Sequence, residues 1–310
     1  MNGVLVVDKP AGMTSHDVVN RVRRILVVRS VGHLGTLDPS ATGVLPIVVG
    51  SFTRLAQFYL HSEKKYEGMI RFGFATSTYD AEGEATTTPQ DVALDLGQVR
   101  AIAAEFQGVL RQTPPPFSAK KIAGVPAYKM ARKQLAVALR PVEVEVKEFE
   151  ILDVAGDRVT FRAWVGSGTY MRSIAHEMGV KLGCGAHLAE LQRTAVAEFV
   201  VEDAHTLEEL ESFRGESLAK ELPAERWSME RQGSLQHVFV HPRKLLSQIP
   251  CVTATEETAA LLRTGRAANL PEMSRAPLVK VFLGQRELIA IGERIAGTLF
   301  HPKIVFGSCD

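Results

Sequence analysis

The chain has 310 residues, of which 45% are hydrophobic and 23% are charged, and it carries a net charge of +1 at pH 7. Its length allows two domains. No apolar run approaches the roughly 20 residues of a membrane helix, and Asp8 and Lys9 stand where a signal peptide would be apolar. We therefore expect a cytoplasmic protein. The cysteines Cys184, Cys251 and Cys309 form no Cys-x-x-Cys pair, which argues against a zinc knuckle or a disulfide framework.

The first elements are a strand and a helix. Gly3 to Val7 is typical of a short buried strand. The apolar positions from Val18 to Leu26 keep helical spacing, and Thr14 or Ser15 can cap the start of that helix.

Residues 32–46 form a loop that contains three glycines, Pro39, Pro46 and a single carboxylate, Asp38. Glycine lets other groups approach closely and proline fixes φ, so the loop would hold Asp38 in place. A carboxylate held in this way can act as a nucleophile or a base. Asp before Pro is also an ordinary turn opener, and the dipeptide alone favours that interpretation.

Further elements follow in the middle of the chain. Residues 66–74 alternate in polarity and predict a half-buried strand that starts at Tyr66. Residues 99–106 predict a helix, and the strand after Val142 changes parity, which predicts a bulge near Lys147. Residues 159–165 alternate cleanly as a further strand.

A glycine-rich turn then leads into a helix. Met171, Ile174 and Met178 keep helical spacing after that turn, so Tyr170 and Arg172 lie on the first turn of the helix. Taken alone, Arg172 is a surface residue, and Leu191, further along, would be part of a helix core.

Charge is segregated along the chain. Residues 111–140 contain seven Lys or Arg and no Asp or Glu, whereas residues 198–230 contain ten acidic residues. A solvated face is the simpler interpretation of the acidic segment. The uncompensated basic segment favours contact with a polyanion such as RNA.

The pattern of the C-terminal part differs from that of the preceding residues, and a weakly patterned stretch at 214–235 separates the two. It predicts a helix at 255–263 and short strands at 279–283, 288–291 and 303–306, which is a small β-rich domain. Leu262-x-x-Gly265-Arg266 and the later Gly297-x-Leu299-x-x-Pro302 resemble a PUA domain, an RNA-binding module. We therefore expect a first domain at 1–228 and a PUA-like domain at 238–310.

Six ordered motifs resemble the TruB family of pseudouridine synthases. Besides the Asp38 loop they are Val-Asp-Lys-Pro-Ala-Gly-Met-Thr-Ser at 7–15, Lys-Tyr-Glu-Gly at 65–68, Gln-Thr-Pro-Pro-Pro-Phe-Ser-Ala-Lys-Lys at 112–121, Gly-Thr-Tyr-Met-Arg-Ser at 168–173 and Gly-Ala-His-Leu-Ala-Glu-Leu-Gln-Arg-Thr at 185–194. The resemblance implies an α+β fold with a long mixed, mainly antiparallel sheet, followed by a small β-barrel.

The resemblance also implies a reaction that needs no metal and no cofactor. The bond from uracil N1 to the ribose breaks, the base turns in its pocket, and the bond re-forms through C5. Asp38 matches the essential aspartate, as a nucleophile on sugar or base or as the base that removes a ribose proton, and Arg172 matches the arginine that keeps it ionised. Tyr66 matches the residue that stacks on the flipped base, although a Tyr at a strand end is more often packing.

The remaining implied contacts concern the RNA. His33 helps to hold the loop nucleotides, and Tyr170 and Leu191 line the uracil pocket. The expected partner is the T-arm of tRNA, with the uridine at position 55 as target and the enzyme as a monomer. The expected RNA-binding residues are Lys9, Lys120, Lys121, Arg132 and Lys133.

Two other functions compete with this one. A non-catalytic RNA-binding protein would use only the basic stretch and the C-terminal domain, but binding alone needs no ionised Asp in a site meant for phosphates. An N-glycosidase that frees the base would need a held water and usually a second carboxylate. The matched motifs contain no such carboxylate, although Asp80 lies in a loop outside them.

Overall fold

The computed structural model describes residues 1–117, 121–122, 125–126, 140–218 and 236–307. The strands are β1 (Gly3–Lys9), β2 (Val31–His33), β3 (Thr42–Val49), β4 (Lys64–Phe72), β5 (Gly108–Gln112), β6 (Lys121–Ile122), β7 (Val125–Pro126), β8 (Val142–Ala155), β9 (Arg158–Val165), β10 (Ala186–Val196), β11 (Phe199–Val200), β12 (Cys251–Ala254), β13 (Ala268–Asn269), β14 (Leu278–Leu283), β15 (Glu287–Ala296) and β16 (Leu299–Val305). The α-helices are α1 (Ser15–Leu26), α2 (Leu96–Ala104), α3 (Met171–Lys181), α4 (Leu207–Leu218) and α5 (Glu256–Arg263). Of the helices in these ranges, none is both long and apolar enough to cross a bilayer.

Close contacts divide the chain into two compact units. The first unit comprises Met1–Leu37, Val44–Leu60 and the described residues from Glu198 onward. The second unit comprises Asp38–Gly43 and His61–Ala197. The expected boundary between 228 and 238 falls mostly outside the described residues, and the division at that point stays a prediction.

Helix α1 of the first unit begins where the sequence predicts. The Thr14 side chain accepts a hydrogen bond from the Asp17 amide, and the Asp17 carboxylate accepts one from the Thr14 amide, which is a capping box. The apolar face, with Val18 and Val22, is buried in a core with Leu45 of β3. The prediction that Thr14 can cap this helix is therefore confirmed.

The C-terminal part of the first unit forms a five-stranded sheet in the order β12, β14, β15, β16, β13. Only the β12–β14 pair in this sheet is parallel. Val279, Ile289 and Phe300 build its core together with Ala259 and Leu262 of α5. The predicted helix and β-rich module are confirmed, and the likeness to a PUA domain stays a prediction.

The sheet of the second unit has the order β10, β4, β9, β8, β5, with every neighbouring pair antiparallel. Thr42 and Gly43 add a parallel pairing with Gln192 and Arg193 of β10. The sheet is therefore mixed and mainly antiparallel, as expected. Helix α3 packs on β10, and this places the first turn of α3 close to the sheet residues that build the site.

Strand β8 shows the predicted irregularity. Its register against β9 shifts between Val146 and Glu148, and again between Ile151 and Asp153. The first shift lies at Lys147, where the sequence changes parity. The bulge keeps Phe149 and Ile151 on the buried side, where they are about as buried as Val146.

Candidate active site

Residues 38–43 belong to the second unit, where Thr42 and Gly43 pair with strand β10. The Asp38 carbonyl accepts a hydrogen bond from the Ala41 amide at 3.2 Å, which closes a turn. Gly43 has φ +96°, and a Cβ atom at this position would lie 2.3 Å from the carbonyl oxygen of Arg193. Only glycine fits so close to another backbone in this conformation. The turn interpretation of Asp38 is thus compatible with a held carboxylate.

Arg172 connects the loop to the rest of the site. Its Nε lies 2.8 Å from Asp38 Oδ2, and its Nη1 lies 3.2 Å from Asp80 Oδ2. The same guanidinium donates hydrogen bonds to the carbonyl oxygens of Thr78 (3.2 Å) and Phe117 (3.0 Å). Its side chain is only 6% exposed. Arg172 is therefore a buried bridge between two carboxylates, and not the surface residue that its position alone would suggest.

Asp80 is the carboxylate that sequence reasoning did not assign to the site. Its side chain is 7% exposed, and its Oδ1 accepts hydrogen bonds from the Thr78 hydroxyl and from the Glu82 amide (3.1 Å). A backbone bridge to Leu188 of β10 brings the segment to the sheet. Both oxygens of Asp80 are thus engaged, which suits a supporting role rather than contact with substrate.

The two carboxylates differ in what they can do. Burial of a carboxylate favours its neutral form unless a cation compensates, and a bidentate guanidinium is the side chain best suited to that task. The side chain of Asp38 is 38% exposed, against 7% for Asp80. Asp38 is therefore both paired with Arg172 and open to an incoming reactant.

Tyr66 and Arg193 lie on neighbouring strands of the sheet, close to the Asp38 carboxylate. They lie directly opposite each other on β4 and β10, their side chains hydrogen-bond, and Asp38 contributes to the electrostatic environment of both. Tyr66 is 8% exposed and Arg193 is fully buried. Burial raises the pKa of the Tyr66 hydroxyl, and burial lowers the pKa of Arg193 while Tyr66 and Asp38 oppose that change.

Sequence reasoning did not select Arg193 either. Arg193 pairs with Tyr66 and Leu191 pairs with Gly68, so both side chains face the same side of the sheet, but the two register shifts of β10 hide this alternation in the sequence. Leu191 is half-buried and lies on a strand, so the helix core that its position alone suggests is wrong, and its place in the uracil pocket stays a prediction.

Tyr170 precedes the first residue of α3 and is half-buried. The side-chain amide of Gln112 holds its backbone on both sides: Nε2 donates to the Tyr170 carbonyl at 3.0 Å, and Oε1 accepts from the Tyr170 amide at 2.8 Å. This clamp fixes the start of α3, two residues before Arg172.

The other predicted residues belong to the first unit or lie outside the described residues. His33 and Lys9 belong to the first unit; His33 Nδ1 accepts from the Gly35 amide at 3.3 Å. Lys9 is fully buried and donates to the Pro10 carbonyl at 2.8 Å. The residues Lys120, Arg132 and Lys133 and the side chain of Lys121 lie outside the described part of the chain. Within the described part, no three His, Cys, Asp or Glu side chains are arranged to hold a metal ion.

Comparisons with known proteins identify the family of this chain. Residues 23–171 match the TruB family pseudouridylate synthase N-terminal domain, and residues 172–226 match the tRNA pseudouridylate synthase B C-terminal domain. The chain is 47% identical over 308 residues to tRNA pseudouridine synthase B of Solibacter usitatus, covering 98% of this chain and 100% of the relative. It is 38% identical to the protein of the same name from Aquifex aeolicus, over 98% and 99% of the two chains.

Solved structures show the same fold. A chain in the crystal structure of a Cbf5-Nop10-Gar1 complex superposes with a TM-score of 0.71 at 26% identity, covering 98% of this chain and 85% of that one. A chain in an H/ACA RNP bound to a substrate RNA containing 2'-deoxyuridine gives a TM-score of 0.70 at 25% identity, over 99% and 86%. The expected α+β fold is confirmed, and the chain belongs to the TruB family of pseudouridine synthases, which are isomerases that act on RNA.

Proposed function

We propose that this enzyme converts the uridine at position 55, in the T-loop of tRNA, to pseudouridine, and that Asp38 is its catalytic carboxylate. The observation that carries the proposal is the pairing of Asp38 with the buried Arg172 while its own side chain stays 38% exposed. The relatives named tRNA pseudouridine synthase B support tRNA as the substrate.

The chemistry requires an ionised carboxylate beside the ribose. The bond between uracil N1 and C1′ breaks, the base turns, and a bond forms between C5 and C1′; C5 loses a proton and N1 gains one, so atoms and electrons balance. Asp38 acts as a nucleophile on the sugar or base, or as the base that removes a ribose proton. Each route begins from the charged form that the Arg172 guanidinium stabilises.

The target base must leave its stack before Asp38 can reach it. Flipping costs a few kcal/mol, and stacking on an aromatic ring returns about 1 to 3 kcal/mol per base. We assign that stacking to Tyr66, whose hydroxyl is fixed by Arg193, and the walls of the uracil pocket to Tyr170 and Leu191. His33 fills the gap that the flipped base leaves.

Contact with the rest of the RNA is assigned to the basic segment and the C-terminal module. Lys120, Lys121, Arg132 and Lys133 are proposed to contact phosphates, and residues 238–310 are proposed to act as a PUA-like RNA-binding domain. Lys9 is omitted from the proposed RNA contacts because its side chain is fully buried.

Asp80 does not favour the glycosidase alternative, although it supplies a second carboxylate near Asp38. A hydrolytic enzyme needs that carboxylate to hold a water or deliver a proton. Both oxygens of Asp80 already accept from Thr78, Glu82 or Arg172, and its side chain is nearly fully buried. Its geometry suits the support of Arg172.

The test is product analysis with two matched substrates. The purified protein is incubated with an unmodified tRNA transcript and with a transcript that carries cytidine at position 55, followed by nucleoside analysis and an assay for free uracil. We expect pseudouridine from the first transcript only and no uracil. Free uracil would establish a glycosidase, and RNA binding without product would overturn the proposed reaction on tRNA.

A further inference from the structure

We propose that His176 is a positioning residue for this active site: its ring stacks on Tyr79 and thereby holds, against helix α3, the segment that presents Asp80 to Arg172. The inference rests on the proposed catalytic role of Asp38 and extends it to a side chain that does not touch the reacting groups.

The first observation is the stack itself. The rings of Tyr79 and His176 lie 3.8 Å apart at their centroids and are inclined by only 8°. His176 follows Arg172 by four residues on α3, so the two side chains leave the helix on the same face, one turn apart. The chain segment Thr78-Tyr79-Asp80 therefore meets this face twice, at the guanidinium and at the imidazole.

The second observation is the backbone of Tyr79. Its φ is +65°, a left-handed conformation that is unusual for a bulky side chain and persists only where the surroundings impose it. The Tyr79 carbonyl accepts from the Leu188 amide at 3.0 Å, and Asp80 follows directly. Because Asp80 is the next residue, any relaxation of φ at Tyr79 moves the Asp80 carboxylate relative to Arg172.

The third observation is that the hydrogen bonds within residues 76–82 are distinct from the contacts between this segment and α3. The hydroxyls of Thr76 and Thr78 and the amide of Glu82 bond to Asp80 from within residues 76–82. These bonds keep the segment in shape, but they do not fix its distance from the helix. Backbone hydrogen bonds also hold the segment to Leu188 of β10, on which α3 packs. Its direct contacts to α3, among those described, are the ones made by Arg172 and by the Tyr79–His176 stack.

The His176 side chain can act through the face of its ring, by stacking on Tyr79. The residue is half-buried, and its Nδ1 is buried with no hydrogen-bond partner among the described residues. Burial also lowers the pKa of His176, which keeps the ring neutral near pH 7. A flat ring without nitrogens should therefore replace it, whereas a side chain without a ring should not.

The experiment measures turnover and RNA affinity separately for His176→Ala, Tyr79→Ala, the double variant, and the ring-preserving His176→Phe and Tyr79→Phe. Val180→Ala, an exposed position on the same helix, is the matched control. Alanine is the best helix former, so His176→Ala leaves the propensity of α3 intact. We expect kcat to fall about 10- to 100-fold in each alanine variant with KM for tRNA changed less than about threefold, as for misplacement of a catalytic group.

Two further results are expected. The double variant should lose no more kcat than either single alanine variant, because both break the same stack. Both phenylalanine variants should keep kcat within about threefold of wild type.

The outcomes distinguish this inference from the proposed function. If His176→Ala and Tyr79→Ala keep wild-type kcat while Asp38→Asn is inactive, the positioning role is refuted and the proposed function stands. If KM rises and kcat does not fall, the two rings contact RNA and the inference is wrong. If the wild-type protein leaves every uridine of tRNA unchanged, the proposed function and this inference fail together.

Discussion

Replacement of Arg172 by lysine tests how the Asp38 carboxylate is held. Arg172 meets two carboxylates, at 2.8 and 3.2 Å, and two carbonyl oxygens, at 3.2 and 3.0 Å. Lysine keeps the charge but carries it on one nitrogen, which cannot span all four acceptors. One carboxylate must therefore lose its partner.

The expected magnitude follows from the exposure of the two partners. Removal of a partner from a buried pair costs about 3 to 5 kcal/mol, and this applies to Asp80, whose side chain is 7% exposed. Asp38 is 38% exposed, so water compensates much of its loss. Because lysine retains some pairing, we expect the free energy of unfolding to fall by about 2 to 3 kcal/mol and kcat by about 100-fold.

The assay combines single-turnover formation of pseudouridine with urea unfolding and RNA binding. Affinity for RNA should change less than about threefold, because the net charge is the same. Arg158→Lys is the control, since the Arg158 side chain is 53% exposed on the same sheet, and it should behave as wild type. Arg172→Lys with kcat within threefold of wild type would refute the reasoning.

Three other predictions concern the loop, the partly buried Lys64 and the basic segment. Gly43→Ala should lower kcat about 100-fold, because the loop must move away from the Arg193 carbonyl. Gly168 has φ +84° and a Cβ atom added there would have no atom within 4 Å, so Gly168→Ala should cost only about 1 kcal/mol of backbone strain. An equal loss of kcat in the two variants would contradict this. Burial lowers the pKa of Lys64 from 10.5 to about 8. Between these two pH values the unfolded chain binds more protons than the folded chain, so the free energy of unfolding rises with pH. In urea unfolding, Lys64→Met should remove about 1 to 2 kcal/mol of that rise, after allowance for partial exposure, and an unchanged rise would show that other groups cause it. Neutralising the four proposed phosphate contacts one at a time should reduce the slope of log affinity against log salt by about 0.7 to 0.9 per contact. An unchanged slope would remove that residue from the interface.

Local patterns predicted much of the fold. The helix cap at Thr14 or Ser15, the clean alternation of 159–165 and the change of parity near Lys147 each depend on neighbouring residues, and all three are confirmed. In each case the signal lies within a few consecutive residues, although β8 also has a second register shift, between Ile151 and Asp153, that the sequence did not predict.

Strand β10 shows why part of the site could not be predicted. Its register shifts twice, so the residues that face inward are Leu188, Leu191, Arg193 and Val196, with gaps of three, two and three residues. Such spacing imitates a helix, which explains the wrong assignment of Leu191 and hides Arg193.

Asp80 was missed for a different reason. It lies in a Thr- and Gly-rich segment without apolar periodicity, and its place in the site depends on Arg172 and on a backbone bridge to Leu188, both about 100 residues away. The local signal was Thr76 and Thr78 before it, since a threonine hydroxyl can bond to a nearby Asp.

The most direct test of the account is Asp38→Asn, measured for pseudouridine formation on tRNA and for RNA affinity in the same preparation. The amide keeps the shape of the side chain but cannot carry the charge that Arg172 stabilises. The account predicts no detectable pseudouridine with RNA affinity equal to that of the wild type. Turnover by Asp38→Asn would contradict the central claim, because the reaction would then proceed without the carboxylate.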